Sequence, residues 1–108
     1  MTNRRLDVYR VAVELRRAAM RAVPKGVNRS LRDQLDRASA SVVLNINEGA
    51  GRWERGDKRR FYEYAKGSAY ETAAALDIMD VVDPAVFELS DRVIAMLTVL
   101  CRRMQSDG

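Results

Sequence analysis

The sequence predicts an all-α fold, an antiparallel up-down-up-down four-helix bundle. Four segments carry apolar residues at alternating spacings of three and four, and the links between them are short and hold proline, glycine or asparagine. No segment alternates convincingly with the period of two that a half-buried strand shows. A chain of 108 residues reads as a single domain spanning 1–108, long enough for one core without disulfides or metals.

The first helix is expected from about Arg5 to Val23. Asp7, Arg10, Glu14, Arg17 and Arg21 share one narrow arc, while apolar residues fill most of the rest. That apolar arc is wider than the ~100° of an ordinary surface helix, so the helix is expected to bury one face in its bundle and another against a second subunit. Arg16 interrupts the apolar arc, and either snorkels or pairs with an acid across an interface. Pro24 and Gly26 stop the helix.

Ser30 is the expected N-cap of the second helix, Leu31 to Ala50, with Asp33 in the place of a capping-box acid. Leu31, Leu35, Ala38, Val42, Ile46 and Gly49 form its core seam. After the polar loop from Gly51 to Gly56, Asp57 is the expected cap of a third helix, Lys58 to Val82. The third seam is Phe61, Ala65, Ser68, Thr72, Ala75, Met79 and Val82; its small middle residues allow a neighbouring helix to come close. Asp83-Pro84 ends it. The fourth helix, Ala85 to Met104, carries Val86, Leu89, Val93, Met96, Leu97, Leu100 and Met104, and the tail from Gln105 is expected to fray.

Composition narrows the function. Apolar residues at 47% and charged residues at 31% suit a soluble globular protein, and no apolar run approaches the ~20 residues that cross a bilayer. With no signal-peptide pattern and one cysteine, Cys101, an intracellular, cytoplasmic location is expected. The lack of histidine excludes imidazole triads and makes a zinc or haem site improbable; neither cofactor nor metal is expected. Charge is unevenly spread. Residues 1–37 hold ten Lys/Arg against four Asp/Glu, residues 52–60 hold five against two, and residues 61–100 hold two against seven. This asymmetry fits an anionic partner such as RNA or DNA, and fits charge pairing between subunits equally well.

Two clusters stand out. RASASVVLNINEGAG, from Arg37 to Gly51, places Asn45, Asn47, Glu48 and two glycines near a helix end, and AKGSAYE lies on the following helix. Polar residues and glycines weaken a helix, so they imply a polar network between two close helices. RASASVVLNINEG followed by GR, then FYEYAKGSAYE about ten residues on, resembles the bacterial family of 23S rRNA intervening-sequence proteins. Arg37, Ala38, Ser41, Asn45, Ile46, Glu48 and Gly49 match the run typical of the family's second helix. Phe61, Ala65, Gly67, Ser68 and Glu71 match the motif on its third. Leu6-Asp7-Val8-Tyr9 and Met96-Leu97-x-x-Leu100 extend the likeness over nearly the whole chain. The resemblance implies a four-helix bundle assembling as a homopentameric ring, with no established catalytic activity. A related branch serves diversity-generating retroelements, working with a reverse transcriptase and its RNA. This sequence departs from the family in its loop, where Trp53-Glu54-Arg55 replaces small and basic residues.

Arg37, Ser41, Asn45, Glu48, Ser68 and Glu71 are the candidate polar network, read either as a ligand pocket with two carboxylates or as a device fixing helix register or joining subunits. The second reading expects Glu48 and Glu71 to contact Arg37, Arg52 or backbone donors. Gly49 and Gly67 are assigned to close helix packing, since no phosphate-cradle pattern surrounds them. Arg52, Trp53, Arg55, Lys58, Arg59 and Arg60 are the candidate nucleic-acid site, with guanidinium–phosphate contacts and an indole to stack on an unpaired base. The alternative is a solvated helix entry with Trp53 packed back on the bundle. Arg10, Arg17 and Arg21, with Arg4 and Arg5, either extend the basic surface or form a merely solvated face, the second being the favoured reading. The expected function is that of a non-enzymatic homo-oligomer binding RNA; the alternative is a protein-interaction scaffold, for example an accessory subunit of a reverse transcriptase.

Overall fold

A computed structural model describes residues 6–105. Arg4, Arg5 and the tail beyond Gln105 lie outside the described residues. Four helices, α1 (Asp7–Arg21), α2 (Arg29–Ala50), α3 (Arg55–Ile78) and α4 (Pro84–Gln105), pack as a four-helix bundle, and no strand occurs among the described residues. Each helix packs on its sequence neighbours and α1 closes on α4, as short links require; α2 and α3 share the largest interface. The bundle is elongated, 48 × 22 × 21 Å.

The α2 and α3 seams lie largely where the spacing puts them. The buried line of α4, by contrast, is Val86, Ser90, Val93, Leu97 and Cys101, which leaves the expected Leu89, Met96, Leu100 and Met104 half-buried at its edges. Leu35, Ala38, Val42, Ile46 and Gly49 of α2 are buried, as are Ala65, Ser68, Thr72 and Ala75 of α3. Helix α3 also buries Tyr62, Ala69 and Leu76 because it contacts both α2 and α4. In α1, Val8, Val11, Ala12, Leu15 and Ala19 face the core and the five charged arc residues are exposed. Arg16 reaches α2. Its guanidinium donates to the backbone oxygen of Asp36 at 2.7 Å, to Ser39 Oγ at 2.9 Å and to the Asp36 carboxylate at 2.6 Å. It is therefore a clamp between α1 and α2 within one chain.

Three helix ends differ from expectation. Asn28, not Ser30, caps α2: its Oδ1 accepts from the backbone N–H of Ser30 at 2.7 Å and of Leu31 at 3.4 Å. Both residue types cap well, and the positive φ of 82° at Gly26 turns the chain early enough for the first to serve. Helix α3 begins at Arg55 rather than after Asp57. Glu54 takes the cap position without a side-chain cap bond, and Asp57 pairs with Arg60 at 3.6 Å inside the first turn. At the other end α3 stops at Ile78, before Val82. Asp80 adopts a left-handed φ of 60°, Val81 N–H donates to Leu76 O at 3.1 Å, and Asp80 N–H donates to Asp77 O at 3.0 Å. That pair of bonds is a Schellman cap built on aspartate instead of glycine. It buries Val81 and leaves Val82 88% exposed, so Val82 is not part of the seam.

Candidate functional site

The seam between α2 and α3 accounts for part of the polar cluster. Ser41 and Ser68 share a hydroxyl–hydroxyl hydrogen bond of 2.8 Å. Asn45 Nδ2 donates to Ser41 O and Oγ, both at 2.9 Å, and Thr72 Oγ1 donates to Ser68 O at 2.8 Å. This network spends its hydroxyls and the Asn45 amide N–H on one another and on helix carbonyls, and contains no acid. Gly49 lies directly under Tyr62: a Cβ there would stand 2.8 and 2.9 Å from ring carbons and 3.2 Å from Lys58 O. Close approach of the two helices at this point requires glycine.

The remaining motif residues are elsewhere. Glu48 is exposed at the end of α2 and pairs with Arg52 at 3.1 Å. Arg37 and Glu71 are exposed, and neither takes part in the network around Ser41 and Ser68. Gly67 faces open space, with nothing within 4 Å of an added Cβ, so no other helix of this chain packs closely on it.

The basic residues of the α2–α3 junction divide by what they touch. Lys58 Nζ donates to Gly49 O at 3.3 Å and Ala50 O at 3.1 Å, capping a helix that has no basic residue in its last turn. Arg55 donates to the backbone oxygen of Arg103 near the end of α4. These two side chains hold the bundle's end together. Arg59 is partly buried and 3.6 Å from Glu63. Arg52 and Arg60 are exposed and rest on the Phe61 ring, their guanidinium carbons 4.7 and 5.0 Å from its centroid. Phe61 in turn meets Tyr64 edge to face, ring centroids 5.8 Å apart. Phe61 thus acts as a platform for two arginines, a role its place in the seam pattern concealed. Its signal was local: arginines lie directly before it and nine residues upstream.

Trp53 is 96% exposed and does not pack back on the bundle. It lines an open groove of about 520 Å³ together with Asn47, Glu48, Ala50, Gly51, Arg52, Glu54 and Asp57. Below this end lies a titratable pair. Burial, then the neighbouring charge and hydrogen bond of Glu63, push the Cys101 thiol up to about 11, with Lys66 and Arg59 opposing. Burial and the proximity of Cys101 raise Tyr62 as well. A thiol held protonated in this way is a poor nucleophile. Among the described residues no group of three or more His, Cys, Asp or Glu is placed to hold a metal ion, and no helix is long and apolar enough to cross a membrane.

The arrangement offers charge, hydrogen bonding and a flat aromatic face at one end of a rigid bundle, a set suited to recognition. A comparison with curated proteins gives no match. Residues 4–106 match the family model of the 23S rRNA-intervening sequence protein, and the chain belongs to that family.

Proposed function

We propose that this protein is a non-catalytic, cytoplasmic, self-assembling bundle that binds RNA through the end formed by the α2–α3 junction. The observation that carries the reading is Trp53, an indole 96% exposed among arginines. Burying an indole is worth a great deal to a small fold, so one left in water is available to a partner. Arg52 and Arg60 support the reading. Both guanidinium groups rest on the Phe61 ring, Arg52 lines the same groove as Trp53, and their ion pairs with Glu48 and Asp57 are surface contacts. Such pairs are worth ~0–1 kcal/mol, so exchanging a carboxylate for a phosphate costs little.

Self-assembly is supported by exposed apolar residues along the helices, among them Leu44 at 63%, Tyr70 at 56% and Ile78 at 68%. A pentameric ring, as the family resemblance implies, would repeat the junction five times and turn a weak site into an avid one. An electrophoretic shift with RNA and DNA at two salt concentrations tests the function, and a solution mass tests the assembly. Binding is expected to weaken steeply with salt, because each phosphate contact releases condensed counterions. Salt-independent binding, or none at low salt, would overturn it. A protein partner retained through nuclease treatment would favour a scaffold instead.

A further inference from the structure

We infer, resting on the RNA-binding reading above, that the groove at the α2–α3 junction is a site for one unpaired guanine base. The lining chemistry selects the ligand. Glu48, Glu54 and Asp57 put three carboxylates around the groove against one guanidinium, Arg52. A phosphate inside it would meet net negative charge, whereas a ligand presenting N–H donors would be welcomed. Two of the acids are already engaged, Glu48 with Arg52 at 3.1 Å and Asp57 with Arg60 at 3.6 Å. Glu54 is exposed and makes no side-chain cap bond at the start of α3. Its neighbour Trp53 is almost wholly exposed.

The groove therefore brings together an indole face and a carboxylate that the start of α3 does not consume. A ligand using both is planar and aromatic, and carries two N–H donors side by side to match the two carboxylate oxygens. Of the four RNA bases only guanine qualifies, through N1–H and the N2 amine on its Watson–Crick edge. Adenine and cytosine each place an acceptor nitrogen beside their single amine, and uracil flanks one N–H with two carbonyls. Because that edge is consumed in a duplex, the base must be unpaired. Stacking on Trp53 supplies affinity without discrimination and Glu54 supplies the discrimination, while Arg52 and Arg60, each held to its acid through one terminal nitrogen, keep further N–H donors for the flanking phosphates.

Trp53 is the only tryptophan in the chain, so it reports on the site directly. The experiment titrates its fluorescence, corrected for absorbed light, with the four nucleoside monophosphates, guanosine and inosine. In parallel, shift assays use an RNA with a single-stranded guanine and the same RNA with that base replaced by cytosine. Guanosine monophosphate and guanosine are expected to quench saturably, and the other monophosphates about tenfold more weakly. Inosine, which lacks the N2 amine, falls between. Glu54→Gln lies on the surface outside any cap bond and should keep the helical spectrum and a weak stacking signal while losing the guanine preference. Equal quenching by all bases, a preference surviving in E54Q, or a Trp53 shielded from acrylamide would each overturn the site. RNA binding that persists in W53A while guanosine monophosphate gives no saturable signal sinks the guanine site and leaves the RNA reading. Saturable guanine binding by a protein that shifts no RNA sinks the RNA reading and makes a free nucleotide the source of the base.

Discussion

The middle of the α2–α3 seam and the loop joining the same two helices are both rich in polar and small residues, yet they end in opposite conditions. In the seam, Ser41, Asn45, Ser68 and Thr72 bond to one another or to helix carbonyls, and Gly49 is filled over by Tyr62. In the loop, Trp53 is almost wholly exposed, and the Glu54 side chain makes no cap bond to α3, whose first turn uses only the Glu54 backbone oxygen. The lesson is that an unusual residue at an unusual place marks a site only when its chemistry is left unspent. Packing and hydrogen bonding account for the polar residues of the seam and for Arg55 at the loop's edge, but not for Trp53 and Glu54.

The sharpest way to break this comparison is to overfill the seam. Gly49→Val would drive methyl groups into the buried Tyr62 ring and the Lys58 carbonyl, and that carbonyl, being backbone, cannot swing aside. Overpacking of this kind should cost about 3 kcal/mol, read as a shift in the urea midpoint. A variant as stable as the parent would mean that the helices stand further apart than described.

A second test concerns the buried pair beneath the loop. Below pH 9 the Cys101 thiol is protonated in both folded and unfolded chains, and its burial carries no pH-linked penalty. Between pH 9 and about 11 the unfolded chain gives up that proton while the folded chain keeps it, so stability falls as pH rises. Tyr62, raised from 10 by burial and by Cys101, acts in the same direction slightly higher. The loss through this window should approach about 2 kcal/mol. Urea melts at pH 8 and pH 10.5, repeated with Cys101→Ala, isolate the thiol's share as the part of the slope the variant lacks.

Much of the fold was legible because seam spacing is a local property. Leu35, Ala38, Val42, Ile46 and Gly49 are buried where a helical period puts them. The helix ends were less legible because several residues compete at each. Asn28 and Ser30 are both good caps, and the turn at Gly26 decides between them. No glycine announces the end of α3, where Asp80 takes the left-handed position instead. The site was legible in composition but not in geometry. Whether Lys58 meets phosphate or caps α2 depends on where its long chain ends, and Arg55 finds its carbonyl on α4, 48 residues away. No local pattern carries that information. Periodicity is equally silent about a loop, so the exposure of Trp53 came only from the packed structure.

Smaller effects sharpen the contrast inside the seam. Ser41→Ala removes the partner of the buried Ser68 hydroxyl, while Asn45 keeps the Ser41 backbone oxygen. The expected cost is about 1 kcal/mol, and adding Ser68→Ala should cost less than the sum of the two, because both remove the same bond. Gly67→Ala is expected to change sign. With open space around it, an exposed helical glycine gains ~0.5–1 kcal/mol on replacement through lower unfolded-chain entropy and better helix propensity. A thermal melt of each variant is sufficient, and a loss at position 67 would restore a packing role for that glycine.

The smallest stability effect belongs to the residue given the largest functional weight. Trp53→Ala removes a side chain that is 96% exposed, so almost no buried surface is lost and the unfolding midpoint should move by less than about 0.5 kcal/mol. The same substitution should weaken RNA binding by one stacked base, ~1–3 kcal/mol or roughly 5- to 150-fold for a single site, and by more in a ring where sites act together. Stability and affinity thus separate at this one position, whereas at Gly49 they should fall together because a misfolded seam cannot present the loop. If Trp53→Ala instead unfolds the protein or dissociates its assembly, the indole is a structural anchor between subunits, and the loop belongs with the seam after all.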